Sequence, residues 1–319
     1  MRLKLVPENT KIDFFSKARI SLGISAFLLF LSFLSLIFQG LNFGIDFLGG
    51  TTIRTQSSQA IDVGLYRSAL SPLELGDISI SEVFDPNFGD DQNVAMIRIQ
   101  QQKSEDKSVS DVTRSSLAAL QVLDPEISFE SVENVGPKVS GELVQTAILA
   151  VVLAIGAVLV YIWLRFEWQF AQGAVSALIH DVILTIGVFS VLQIKFDLAI
   201  IAALLTIVGY SLNDTVVVFD RVRENLRKYK KRPLKEVLNL SINETLNRTV
   251  TTSLTTLLAL IALFVLGGDV IRGFVFAMIW GVIVGTYSSI FVASSTLLWL
   301  GVKRDWSKPN SEAGTQVPQ

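Results

Sequence analysis

Five ionisable residues lie within or at the edges of strongly apolar stretches: His180, Asp181, Asp214, Asp220 and Arg248. A charge in lipid is expensive, and such residues are functional candidates by default, open to reversible proton binding or to buried ion pairing. Asp214 is the clearest. It lies in Tyr210-Ser211-Leu212-Asn213-Asp214-Thr215, about six residues from the end of its apolar stretch, or roughly 9 Å deep at 1.5 Å per residue. A carboxylate there must pair, face water or be protonated. Tyr210 and Ser211 precede it by four and three residues on nearly the same helical face. Together with Asn213 they form a polar stripe expected to meet it. The structural alternative is that Asp214 only glues two helices together by hydrogen bonding.

Arg248 opens the next apolar stretch from the same side, so an Asp214–Arg248 pair on antiparallel helices is expected, with snorkelling of Arg248 at the interface as the alternative. Asp220 is the outermost candidate for a proton pathway, and with Arg221 it reads more simply as a boundary charge. His180 and Asp181 sit in the middle of their stretch. As sequence neighbours they project about 100° apart and are expected to meet groups on different helices. Histidine titrates near neutral pH, which suits a relay; a satisfied interhelical hydrogen bond is the competing reading.

Other chemistry has little foothold. The 319 residues include no cysteine and one histidine, so disulfides, thiolate metal sites, cysteine nucleophiles and histidine metal clusters are excluded. No phosphate-binding glycine loop, dinucleotide fingerprint, zinc-protease helix or nucleophile elbow occurs. No enzyme activity, metal, cofactor or nucleic-acid partner is expected.

The elements that carry these residues follow from composition. Mean hydropathy is +0.50 and 18% of residues are charged, against about 25% in soluble globules. Apolar stretches of bilayer-spanning length run over 18–38, 144–164, 170–192, 198–219, 249–266 and 273–300, predicting six transmembrane helices. The first exceeds a signal-peptide core and lacks an A-x-A-like site, so it reads as a retained span. Basic residues mark the cytoplasmic side. They gather in 1–17, in the segment 220–248, where 221–248 holds nine basic and three acidic residues, and in the tail 301–319. Both termini are therefore expected in the cytoplasm, the tail disordered.

The segment 39–143 falls on the opposite side; within it, Gly44 to Gly141 carries fifteen acidic and seven basic residues. Extended runs at Thr51–Gln56, Ile78–Phe84, Val94–Gln100 and Ile127–Val132 alternate with helical patterns at Ile61–Leu70 and Val109–Leu123. That βαββαβ order predicts a ferredoxin-like α+β extracytoplasmic domain between helices one and two, with a turn at Asn87–Gln92. Gly44, Asp46, Gly49 and Gly50 are expected to fix the backbone where span one enters this domain. Gly273, Ala277, Gly281 and Gly285, continued by Ser289 and Ala293, form a small-residue stripe that lets another helix approach closely.

Several stretches together resemble the SecF family of protein-export membrane proteins, within the resistance-nodulation-division superfamily. They are FGIDFLGG (Phe43–Gly50), VGPKVSGEL (Val135–Leu143), ALIHDV (Ala177–Val182), VGYSLNDTVVVFDRVREN (Val208–Asn225), Asn243–Thr256 and GTYSS (Gly285–Ser289). The resemblance implies an accessory subunit of the Sec translocase in the bacterial inner membrane. It would pair with SecD into twelve spans and use the proton-motive force to help export preproteins after the SecYEG channel and SecA have begun. It also implies that Asp214 and Arg248 serve proton transport. Ser295 stands where members often carry proline, which touches the shape of the last span. Six spans with one external domain read as half of a transporter of two parallel repeats, with the small-residue stripe and the intramembrane acids lining or lying near the partner interface. A proton-driven small-molecule or lipid exporter half-unit and a passive translocase scaffold are the alternatives.

Overall fold

The computed structural model describes residues 10–76, 78–83, 93–100, 109–135, 137–267 and 269–302. The expected turn at Asn87–Gln92 and the tail beyond Val302 lie outside them.

Asp13 accepts from the amides of Phe15 and Ser16 at 3.1 Å each and so caps a short 3-10 turn. Helix α1 (Ala18–Phe38) follows. Its buried residues are Ser25, Ser32 and Ser35, while Phe27, Phe30, Ile37 and Phe38 are exposed. In lipid the apolar side chains lose nothing by facing outward, and small hydroxyl residues take the helix contacts.

A short helix α2 (Ile45–Leu48) leads into the inserted domain. This comprises β1 (Gly50–Ser57), α3 (Val63–Leu70), β2 (Ile78–Val83), β3 (Asn93–Gln100), α4 (Val109–Leu120) and β4 (Ser128–Val135). The strands form one antiparallel sheet in the order β2-β3-β1-β4, which is the ferredoxin-like topology expected. Strand alternation sends Ile53, Ile80 and Ile97 toward Tyr66 and Leu70 of α3 and Leu120 of α4, making the domain's core. The opposite face buries Val83, Val94 and Met96, and the sheet touches α2 and α9 on the membrane bundle.

Five further helical elements follow among the described residues: α5 (Pro137–Arg165), α6 (Trp168–Leu192), α7 (Leu198–Lys228), α8 (Leu234–Leu266) and α9 (Asp269–Ser288), the last continued by a π-turn (Ser289–Ala293) and α10 (Ser294–Leu300). Among the described residues, six helices are long and apolar enough to cross a membrane. Both α7 and α8 run well past their apolar cores, so helix occupies most of the basic segment between them. Asn225 of α7 bonds Glu244 at 2.6 Å and Ser241 at 3.1 Å on α8, and Arg221 bonds Glu244 at 2.6 Å.

Helix α7 is central, packing on α5, α6, α8 and α9. The small-residue stripe of α9 packs closely against it. Ala277 is fully buried, and a Cβ on Gly285 would lie 3.0 Å from Ser211 Cβ. A Cβ on Gly281 would overlap Ile207 Cγ1 and Cδ1 and come within 2.9 Å of Cγ2. Gly281→Ala is accordingly expected to destabilise the bundle by about 1–3 kcal/mol through overpacking. Gly156→Ala on α5 meets nothing within 4 Å and is expected to be neutral or to gain about 0.5–1 kcal/mol from helix propensity. Unfolding of the two detergent-solubilised variants checks the contrast.

Candidate functional site

Two buried polar groupings flank α7. The first is centred on α6. His180 and Asp181 are 3% and 1% exposed, and their side chains meet directly, His180 Nδ1 to Asp181 Oδ1 at 2.9 Å. This corrects the expectation that adjacent residues point away from each other. The 100° offset separates their Cβ directions, but the imidazole and the carboxylate are long enough to turn into one crevice. They also meet other helices, as expected. Ser211 of α7 and Ser288 of α9 donate to Asp181 Oδ2 at 2.6 and 2.7 Å. His180 Nε2 lies 3.2 Å from Ser25 Oγ on α1, which is 2.9 Å from Tyr287 Oη on α9. Tyr287 in turn donates to the Ser21 carbonyl at 2.6 Å.

An ionised carboxylate only accepts, so the ring hydrogen belongs on Nδ1 when Asp181 is charged. The hydroxyls beyond it can then point either way. With Nε2 bare, Tyr287 and Ser25 point toward it; with Nε2 protonated, the chain reverses and ends on the Ser21 carbonyl. One added proton therefore reorients the chain without orphaning a donor. The π-turn begins at Ser289, directly after the serine that holds Asp181. Such turns shift the register of a helix face and recur at functional sites.

The second grouping lies between α7 and α8. Asp214 is 4% exposed, and its Oδ2 finds no partner among the described residues; neither do Thr215 Oγ1 or Thr249 Oγ1. The expected Asp214–Arg248 pair is not formed: no ion pair between them lies within 4.0 Å among the described residues, and Arg248 is exposed on α8. The expected polar stripe is also redirected. Ser211 serves Asp181, Tyr210 reaches Ser253 at 3.5 Å, and Asn213 is exposed. Helical periodicity places Ser211 near the Asp214 face, but α9 approaches so closely there that Ser211 turns toward α6. Asp220 pairs on the surface with Arg165 at 3.4 Å, both side chains 48% exposed, which agrees with a boundary charge.

A third arrangement joins the inserted domain to α7. Gly49 and Gly50 adopt φ of 78° and 150°, which favour glycine. Gly44 comes so close to the α6–α7 loop that an added Cβ would lie 3.3 Å from Asp197 Cβ. Its amide donates to the Phe196 carbonyl at 2.8 Å, and the Phe196 amide donates to the Asn42 carbonyl at 2.8 Å. Asp46 accepts from the Leu198 amide at 3.1 Å, and Asp197 accepts from the Ile200 amide at 3.3 Å. Two carboxylates thus satisfy the first turn of α7, where free amides and the helix dipole favour negative charge. Lys195 in the same loop bonds Ser79 of β2.

Burial, and then the Asp46 carboxylate, raise the Asp197 carboxyl above its ordinary value, opposed by the Ile200 amide and the Arg98 charge. An acid raised in the fold holds its proton where the unfolded chain has lost it. Its contribution is therefore greatest below the ordinary carboxylate value and declines as pH rises through the raised one. Asp197→Asn is expected to keep the cap and remove that part of the pH dependence. Asp197→Ala should remove the same pH dependence and cost about 1 kcal/mol more through loss of the cap. Thermal unfolding of the full chain against pH measures both.

Sequence reasoning missed Ser25, Tyr287, Ser288 and Thr249. The available signal was the run of serines on α1, buried on an otherwise lipid-facing helix.

These features define a multi-pass α-helical membrane protein with a ferredoxin-like domain inserted after its first span and buried charge at its centre. The profile described as protein export membrane protein SecD/SecF, C-terminal, matches residues 115–303, and that of the SecD/SecF GG motif matches residues 34–61. The protein translocase subunit SecF of Cereibacter sphaeroides is 60% identical over 315 residues, covering 99% of this chain and 97% of that one. The SecF subunit of Rhodobacter capsulatus is 58% identical over 313 residues, covering 96% and 94%. In the crystal structure of SecDF, a translocon-associated membrane protein from Thermus thermophilus, a region 34% identical superposes with a TM-score of 0.79. It covers 93% of this chain and 39% of that one, so the chain spans about two fifths of the SecDF length. The chain belongs to the SecF family of protein translocase subunits.

Proposed function

We propose that this protein is an accessory subunit of the Sec translocase that pairs with SecD and uses the proton-motive force to promote late steps of preprotein export across the bacterial inner membrane. Its termini and basic segment face the cytoplasm, and its ferredoxin-like domain faces the emerging preprotein delivered by SecYEG and SecA. The observation that carries the proton-driven part is Asp214: a buried carboxylate on the central helix, with one oxygen unpartnered and Arg248 exposed on the neighbouring helix. Protonation changes the charge at the hub of the bundle, and α7 is tied at its other end to the entry of the inserted domain through Asp46 on the Leu198 amide and Gly44 on the Phe196 carbonyl. A change at Asp214 thus has a mechanical route outward. The SecDF relative, more than twice as long as this chain, supports a second half supplied by SecD.

The test is release of a trapped preprotein from vesicles containing this chain and SecD, with and without a proton gradient. Acceleration by the gradient is expected. Equal release in both conditions would leave the scaffold reading, which His180 and Asp181 favour on their own account because every polar atom of that pair is satisfied.

A further inference from the structure

Beneath the loop that joins α1 to the inserted domain lies a cavity of about 290 Å³, lined among others by Leu41, Phe43, Phe47, Ala147, Val151 and Phe196. Its remaining walls are valine, isoleucine and leucine from α5, α6 and α7. Among the described residues no polar or charged side chain lines it, and that narrows what can occupy it. Water needs two to four polar partners, and apolar cavities stay dry. Ions and headgroups have nothing to bind. An α-helix with its side chains is about 10–12 Å across and is too thick to enter. What remains is a slender apolar chain. The space is large enough in volume for a stretch of several methylenes.

The cavity is continuous with the membrane-facing surface of the protein. Ile148 and Val152 line it and are 62% and 60% exposed on α5, so its mouth opens sideways where a multi-pass protein meets hydrocarbon. Its roof is an aromatic cluster: Phe43 packs on Phe47 at 5.6 Å and on Phe196 at 6.2 Å between ring centroids, and Phe47 lies 6.0 Å from Phe196. Those rings belong to the two loops whose backbones tie the glycine motif to the start of α7.

We propose that this cavity binds one phospholipid acyl chain from the leaflet next to the inserted domain, packed under the Phe43–Phe47–Phe196 cluster. The site is independent of the proton-driven reading. Burying the chain stabilises the cluster by removing apolar surface from contact with nothing but void. Lipid thereby supports the junction through which α1, the inserted domain and α7 are held together.

The full chain, alone and with SecD, is reconstituted in nanodiscs of phosphatidylethanolamine carrying a photoactivatable diazirine at mid-acyl chain, and labelled peptides are mapped by mass spectrometry. Labelling concentrated on Val144–Val152 and Phe43–Phe47 is expected in both preparations. Ala147→Phe, which fills the cavity, should lower it by about tenfold, the loss that one overpacked side chain brings to binding. Labelling around the exposed Leu258 of α8 should not change. Val151→Phe repeats the test at a half-buried position should Ala147→Phe not fold. Undiminished labelling in a folded cavity-filled variant overturns the site. So does labelling that disappears when SecD is present while Ile148→Cys crosslinks to SecD, since the occupant is then the partner protein.

Discussion

Asp214→Asn is expected to abolish the gradient-dependent part of preprotein release while leaving the chain folded and bound to SecD. Asparagine matches aspartate in shape and keeps polar atoms for the crevice between α7 and α8, but it cannot exchange a proton. Oδ2 of Asp214 is unpartnered among the described residues, and an asparagine carbonyl can still accept from Thr249, which faces Asp214, so folding has little to lose. One elementary charge moved through 100 mV is worth about 2.3 kcal/mol, a bias of roughly fiftyfold per proton. That bias is what the variant forfeits. Release with the gradient imposed should fall to the rate measured without it, which itself should not change.

Asp220→Asn supplies the contrast. Its partner Arg165 is equally exposed, and surface pairs of this kind contribute about 0–1 kcal/mol. Gradient-dependent release should survive that change. Should Asp214→Asn also survive with full gradient dependence, Asp214 becomes helix glue and the passive scaffold gains ground.

The parts of this molecule that were readable in its sequence are those fixed by local period and length. Six apolar runs gave six helices because lipid demands about twenty residues per crossing. Extended β-rich runs at Thr51–Gln56 and Val94–Gln100 gave strands, and the order of elements gave the ferredoxin-like sheet. What escaped was the identity of partners. Spacing announces that something approaches Gly281 and Gly285 closely; it does not say that α7 of the same chain does so. For the same reason Ser211 was assigned to Asp214 by helical face, whereas the tight contact with α9 sends it to Asp181. The direct His180–Asp181 contact was lost by treating side chains as vectors without length. Ser25, Tyr287 and Ser288 are ordinary hydroxyl residues until four helices bring them together.

Asp181 separates a relay from a lock, because alanine and asparagine remove different things from it. Alanine takes the acceptor from His180 Nδ1 and Ser211 and leaves Ser288 only the Gly285 carbonyl at 3.1 Å. A buried donor left without its acceptor costs about 1–3 kcal/mol, and these donors tie α6 to α7 and α9. Asp181→Ala is therefore expected to lower the unfolding temperature sharply and to weaken assembly with SecD. Asparagine can satisfy the same groups. Its carbonyl accepts from both serines while its amide donates to a bare Nδ1, and the ring then carries its hydrogen on Nε2. From there Ser25 and Tyr287 point outward to the Ser21 carbonyl, and every donor except the second amide hydrogen of the asparagine still has an acceptor. Asp181→Asn should consequently unfold and assemble like the wild type. It nevertheless fixes the direction of the hydroxyl chain and removes the carboxylate that holds the second ring proton in place. If His180 and Asp181 belong to the proton pathway, gradient-dependent release is lost in the asparagine variant despite normal assembly. Retention of that release, with only the alanine variant failing, makes the pair a lock between helices and confines the proton chemistry to the α7–α8 side.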